Sequence, residues 1–368
     1  MYQNFLGMDN KLENIHLDGF KSIKSESIEI KDLNILIGAN GSGKSNFIAV
    51  FRLLRQIVER RLRTTVREEG GAERMLYYGS KVTNLIEIQL DFPPNYYSIR
   101  LKPTNNDDNL FVEEESTGYK GSGYSTPFWK KIASGETESK LKDISQSGVP
   151  KYVFETLKSW RVYHFHDTSE RAGVRKTGQI NENLYLREDA SNLAAFLHRM
   201  QQGHPQHFKR IEKTIQLVVP MFQEFLLRPV PENPDTIRLE WFSNQSDYVF
   251  TASELSDGSL RFICLCALLL QPKRPGLILL DEPELGLHPA AIQVLGGLIQ
   301  KTAHFSQLIV STQSADLVSC FKPEDILVVE HRDGATVFDR PDEERLKTWL
   351  SDYTLGELWE KNIIGGRP

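Results

Sequence analysis

The eight residues Gly38 to Ser45, "GANGSGKS", constrain this chain more than any other stretch. They follow the apolar run "LNILI" and precede a segment with Phe47, Val50, Phe51 and Leu54 at helical spacing. A buried strand, a glycine-rich turn and an amphipathic helix, in that order, build a cradle for phosphate. Small residues let successive backbone N–H groups turn inward around anionic oxygens, and the helix aims the positive end of its dipole at the same point. The pattern G-x-x-x-x-G-K-[ST] is met at every position, which places Lys44 to reach β- and γ-phosphates and Ser45 to ligate Mg²⁺. Gly38, Asn40, Gly41, Ser42, Gly43 and Asn46 complete the expected contacts to ATP.

A loop of this kind serves kinases, GTPases and several ATPase classes, so the distal third has to decide. In "PGLILLDEPELGLHP", residues 275–289, four apolar residues run into Asp281 and Glu282. An apolar strand ending in two carboxylates is the Walker B arrangement, in which Asp281 holds Mg²⁺ through its water shell and Glu282 polarises the attacking water. Upstream, "ELSDGSLRFICLCALLL" at 254–270 opens a helix whose N-terminus could offer Ser256 Oγ, Gly258 and backbone N–H groups to a γ-phosphate. Alone, "LSDGS" reads equally as an N-cap and turn. Its place before a helix and the Asp281 strand gives it weight. After the next strand, "LIVSTQSADL" presents Gln313, whose amide can hydrogen-bond a γ-phosphate but cannot carry a positive charge or relay a proton.

Elsewhere, residues 11–37 read as two strands and a turn leading to the buried strand, and "NLIEIQLDF" and "YYSIRLKP" as antiparallel strands about Pro93-Pro94-Asn95. Residues 102–150 are rich in Asn, Asp, Ser, Gly and Lys and read as an exposed or weakly ordered insertion. A helix near 152–160, the strand "RVYHF", helices at 190–202 and 206–219 and a hairpin at 236–252 follow. Three segments result: 1–101 and 246–368 as halves of one α/β head, and 102–245 as an insertion, loop-rich and then helical. A net charge of −5 gives no bulk attraction to nucleic acid. The three cysteines, Cys264, Cys266 and Cys320, form no disulfide framework and suit a reducing compartment, with Cys264 and Cys266 as core packing. The N-terminus shows no secretory leader and no apolar run reaches the ~20 residues of a membrane span, so the expectation is a cytoplasmic protein with no membrane partner.

These motifs, with "GFKSIKS" at 19–25, "YHFHDTS" at 163–169, "SNLAAFL" at 191–197 and the tail "YTLGELWEKNIIGGRP", resemble ABC-type ATPases of the SMC, RecF and OLD-nuclease group. Within that group the chain is similar to the stand-alone bacterial AAA family ATPases. The resemblance implies a P-loop NTPase fold of ABC/SMC-head type, two-lobed, with a β-rich lobe and an inserted helical region. It implies a homodimer sandwiching two ATP molecules, with Ser256 of one subunit completing the other's site. It also implies a role in DNA maintenance or phage defence, with DNA and a separate effector such as a nuclease as further partners. Asp257 and Ser259 depart from the group's Leu-Ser-Gly-Gly-Gln signature, and Gln313 replaces its switch histidine, a change shared by stand-alone members; slow hydrolysis is expected. The stretch after Pro289 reads as the last strands plus a helix, too little for the Toprim domain that OLD-type nucleases add.

Two clusters stay open at this level. His164, His166 and Asp167 could hold a metal, could mark a strand end that approaches the nucleotide, or could be satisfied, partly buried histidines. Arg52, Arg55, Arg60, Arg61, Arg63 and Arg67 could grip a phosphate backbone, or could form the solvated face of the first helix balanced by nearby acids. Two functions follow: an ATP-hydrolysing dimer, or an ATP sensor with little turnover that recruits an effector.

Overall fold

The structure, a computed structural model, describes residues 11–367, so the reading of the extreme N-terminus lies outside it. Among the described residues two six-stranded sheets organise the chain. The first, in the order β2-β1-β4-β5-β6-β7, is antiparallel and comprises β1 (Asn14–Phe20), β2 (Ile23–Glu29), β4 (Ile86–Phe92), β5 (Asn95–Pro103), β6 (Leu110–Tyr119) and β7 (Phe128–Glu136). Its strands alternate as a one-sided sheet should: Ile86, Ile88, Leu90 and Phe92 are buried, while Glu87, Gln89 and Asp91 face outward.

The second sheet runs β18-β17-β3-β16-β15-β8, with β3 (Leu33–Ile37), β8 (Arg161–Tyr163), β15 (Leu277–Asp281), β16 (Gln307–Ser311), β17 (Ile326–Arg332) and β18 (Ala335–Asp339). All its pairings are parallel except the β17–β18 hairpin. Helix α1 (Lys44–Val58) lies between the two sheets, which is why it is apolar on more than one stripe: Phe47, Val50, Phe51, Leu54 and Ile57 are all buried. Leu36, Leu279 and Ile309 face that inner core, whereas Ile35, Leu280 and Val310 face a second core on the opposite side. Covered on both faces, these strands are apolar along most of their length, with Asn34 in β3 and Gln307 and Ser311 at the ends of β16 as buried polar exceptions.

Helices α2 (Leu62–Glu68), α3 (Ala72–Met75) and α4 (Gly148–Ser159) complete the first lobe. The second core is roofed by α5 (Leu193–Gly203), α6 (Pro205–Val218), α7 (Asp257–Leu270) and α8 (Pro289–Ala303), then α9 (Ala315–Val318), α10 (Glu343–Leu346) and α11 (Leu355–Glu360). Two three-stranded sheets flank it, formed by β9 (Gly178–Gln179), β11 (Pro229–Val230) and β12 (Asn233–Ile237), and by β10 (Phe222–Phe225), β13 (Glu240–Ser243) and β14 (Ser246–Thr251). Cys264 and Cys266 are core residues of α7, where burial pushes the Cys264 thiol up to about 12. No helix among the described residues is long and apolar enough to cross a membrane.

The loop expected over 102–150 does not hold. β6 and β7 extend the first sheet through this stretch. The sheet's outer face is hydrated and β7 is its edge, so the polar composition belongs to strands, not to disorder. A second reason is Glu115, fully buried in β6, which accepts from Tyr97 Oη (2.7 Å), Ser139 Oγ (2.6 Å) and Lys140 N–H (2.9 Å). A buried carboxylate satisfied in this way breaks the apolar pattern without breaking the strand. Native-state hydrogen exchange should therefore protect the β6 amides to an extent comparable with β5; exchange at unfolded-chain rates across 110–119 would contradict the sheet extension.

Candidate functional site

Strand register brings the sequence motifs together. β16 lies between β3 and β15, with Ser311 opposite Leu36 on one side and Asp281 on the other. Because these strands are parallel, the loop after Ile37, the carboxylates at Asp281 and the turn after Ser311 emerge along one edge of the sheet. β8 pairs with the far side of β15, so the chain leaving Tyr163 emerges beside them.

At the loop, Lys44 Nζ donates to the carbonyls of Gly38 (2.5 Å) and Ala39 (3.0 Å). Burial lowers the Lys44 pKa, and the fields of Glu282, Asp281 and Glu284 oppose that shift. Gly43 has a left-handed φ of 112°, and a Cβ there would lie 2.1 Å from Thr336 Oγ1. Thr336, on β18, is fully buried, donates to Ser42 O at 2.9 Å and lies 2.8 Å from Ser22 Oγ. Asn46 Nδ2 donates to the same Ser22 Oγ at 2.7 Å, so its side chain braces the cradle instead of facing into it. Ser42 Oγ is buried with no partner among the described residues, a polar orphan inside a loop of inward-turned backbone. Asn40, Gly41 and Ser45 are exposed at the mouth.

On the carboxylate side, Ser311 Oγ donates to Asp281 Oδ1 at 2.5 Å, which fixes that side chain at the end of β15. Glu282 N–H donates to Ser311 O at 2.9 Å, and Glu282 takes a left-handed φ of 43°, a conformation that costs of order 1–3 kcal/mol in a non-glycine residue. Gln313 Nε2 donates to Glu282 Oε1, so the two expected catalytic side chains are in contact. The Ser45 hydroxyl and the Asp281 carboxylate are hard oxygen donors, the chemistry Mg²⁺ takes.

Residues 33–319 match the sequence model of a family described as "AAA domain, putative AbiEii toxin, Type IV TA system". The chain belongs to this AAA-domain family. Two solved structures resemble the AAA domain throughout. One is an Smc head bound to the C-winged helix domain of ScpA, with a TM-score of 0.61 and 18% identity over 92% of this chain and 99% of that one. The other is an Smc head with an extended coiled coil bound to the C-terminal domain of ScpA derived from Pyrococcus furiosus, with a TM-score of 0.56 and 16% identity over 93% and 98%. They establish a P-loop NTPase fold of SMC-head type. No curated relative matches the chain.

In the AAA domain Ser256 is the exposed N-cap of α7: its Oγ accepts from Ser259 N–H at 3.2 Å and lies 2.9 Å from Ser259 Oγ. The departures at 257 and 259 thus have local uses. Ser259 pairs with the capping hydroxyl, and Asp257 accepts from Arg175 Nη2 at 2.8 Å. Arg175 is almost fully buried and also donates to the carbonyls of Thr168, Ala252 and Leu255, clamping the turn that leads into α7. Gly258 abuts Gly286 of the same chain, whose carbonyl would lie 2.3 Å from a Cβ at 258. That contact gives Gly258 a packing reason independent of any nucleotide.

His164 and His166 are both exposed, and no group of three ligating side chains occurs among the described residues. His166 Nε2 sits 3.0 Å from Asp281 O, so this segment does approach the carboxylate edge. Of the six arginines, Arg55 pairs with Glu188, Arg60 with Asp143 (3.0 Å) and Arg63 with Asp107 (2.5 Å), so half of the run is engaged by nearby acids. Beside the cradle opens a cleft of ≈ 440 Å³ lined by Lys21, Ser22, Asn46, Arg74, Tyr78 and His331, which composition and spacing gave no means of assembling.

Gly43→Ala should lower affinity for a fluorescent ATP analogue far more than Gly41→Ala. Gly41 is also left-handed (φ 79°), but a Cβ there meets nothing within 4 Å, so only the ~1–2 kcal/mol backbone penalty applies. Equal affinities in the two variants, each with wild-type circular dichroism, would contradict the Thr336 contact as the limit on that position.

Proposed function

We propose that this AAA domain is an Mg²⁺-dependent ATPase that works as a nucleotide-gated homodimer in DNA maintenance or phage defence. The observation carrying the proposal is the shared sheet edge, where the loop leading to Lys44, the pair Asp281 and Glu282, and the turn bearing Gln313 leave three neighbouring parallel strands. In this reading the backbone of 38–45 and Lys44 bind the phosphates, and the cleft beside Ser22, Tyr78 and His331 takes the base and ribose. Ser45 and Asp281 hold Mg²⁺, which supplies charge neutralisation at the transferring phosphoryl group. Glu282 accepts the proton of the attacking water, and Gln313 orients that carboxylate through its amide. Ser256, at a helix N-terminus on the surface, lends its hydroxyl to the γ-phosphate of a second subunit.

The defence role draws on a family description that names a toxin of a toxin–antitoxin system. DNA remains a partner proposed from the family resemblance alone, since half of the arginine run is paired off. A second reading, an ATP sensor that recruits a separate effector such as a nuclease, is favoured by Gln313 standing where a titrating histidine would relay a proton.

Steady-state phosphate release separates the two. Turnover that Lys44→Ala abolishes and Glu282→Gln lowers by about 100-fold or more supports the ATPase, because a general base contributes on that order. Glu282→Gln should also elute as a dimer with Mg-ATP on a sizing column, while a monomer under those conditions contradicts the sandwich. Nucleotide-dependent dimerisation of the wild type with no turnover, with or without DNA, supports the sensor.

A further inference from the structure

Glu284 takes no part in the hydrolysis proposed above, yet it is the most buried of the three acids at the end of β15 and just beyond it, with 7% of its surface exposed. Its Oε1 accepts from the hydroxyl of Thr312 at 2.6 Å and from Gln313 N–H at 3.3 Å. Thr312 is itself fully buried. The second oxygen, Oε2, is buried with no partner among the described residues. Burial raises the Glu284 pKa against the pull of these hydrogen bonds, so the side chain is poorly solvated in the place it holds. An acid kept there is either a local fastener of the Thr312 turn or a device that acts on what the turn carries. The turn carries Gln313, whose side chain reaches Glu282 while its backbone N–H is held by Glu284. One side chain thus lies between two glutamates, its main chain set by one and its carboxamide delivered to the other.

We infer that Glu284 is the positioning residue for Gln313. Its Oε1 fixes the turn after β16 through Thr312 and the Gln313 N–H, so that the Gln313 amide meets the Glu282 carboxylate. Lacking the ring of a histidine, glutamine has more rotamers to lose at this position, and the turn has to supply the order the side chain lacks. The effect on turnover rests on the ATPase reading, whereas the effect on the Gln313 amide does not.

The full-length protein, labelled with ¹⁵N-glutamine, gives a side-chain amide resonance for Gln313 that Gln313→Ala identifies by its disappearance. Glu284→Ala should move this resonance to the position of a solvent-exposed glutamine amide. Glu284→Gln keeps an oxygen acceptor at Oε1 and should leave the resonance near its wild-type place. In phosphate release, Glu284→Ala should lower kcat by about tenfold or more with KM for Mg-ATP within about twofold, and Glu284→Gln should recover most of the loss. Glu284→Ala combined with Gln313→Ala should be no slower than Gln313→Ala alone, because both remove one interaction. If Glu284→Ala fails to fold, Thr312→Val loosens the same turn and should give the same displaced resonance. An unmoved Gln313 amide in the variants that fold, a Glu284→Gln variant as defective as Glu284→Ala, or additive losses in the double variant would overturn the assignment. A wild type without turnover defeats the ATPase reading and leaves the amide resonance to decide this one.

Discussion

Parallel pairing of β3, β16 and β15 is the constraint on which the rest of the molecule depends. It sets Leu36, Ser311 and Asp281 side by side, and the phosphate loop, Glu282 and Gln313 depart from that edge within a few residues. The hydrogen bonds Ser311–Asp281 and Gln313–Glu282 tie the ends of β15 and β16 side chain to side chain, so neither carboxylate drifts from the phosphate loop independently. The two cores packed against the opposite faces of this sheet hold it in place from both sides. Burial on both faces also makes register costly to change, because a one-residue slip would swap Ile35 and Leu36 between cores.

A second layer of constraint comes from atoms that leave no room. Gly43 is pressed by Thr336 and Gly258 by Gly286. The C-terminal tail acts likewise: Trp359, fully buried, donates from Nε1 to Gly366 O at 2.5 Å, and Glu330 Oε1 accepts from Gly366 N–H at 2.6 Å. That fastening seats Gly366 against Ile37 and Gly38, where the strand turns into the phosphate loop. The loop is thus braced from β18 on one side and by the tail on the other, and its shape belongs to the tertiary fold as much as to its own glycines.

Much of this was legible in the sequence because it is local. A strand, a glycine turn and a helix are consecutive at 33–58, and the apolar run ending in Asp281 and Glu282 announces both the strand and its chemistry. The strand pattern of the first lobe is legible only up to β5, since β6 and β7 hide theirs behind a hydrated face, an edge position and the buried Glu115. Arg175, Thr336 and Ser22 escaped for another reason: each acts on a partner far along the chain, and no spacing rule joins Thr336 to Ser42 or Arg175 to Asp257. Glu284 carries no spacing signal of its own, because its role depends on Thr312 and Gln313 arriving from β16. Gln313 itself was found by position, and its contact with Glu282 supplies a use for an amide there.

The central claim is that two copies, facing oppositely, share their nucleotide sites. Complementation between two dead variants tests it most directly: Lys44→Ala lacks the phosphate cradle's cation, and Ser256→Arg blocks the helix N-terminus offered to a partner. Each alone should be inactive in phosphate release. Mixed in equal amounts, half of the dimers formed are mixed pairs holding one intact composite site, so the account predicts recovery of about a quarter of wild-type turnover. Full activity in Ser256→Arg alone, or no recovery from a mixture shown to exchange subunits, would contradict it.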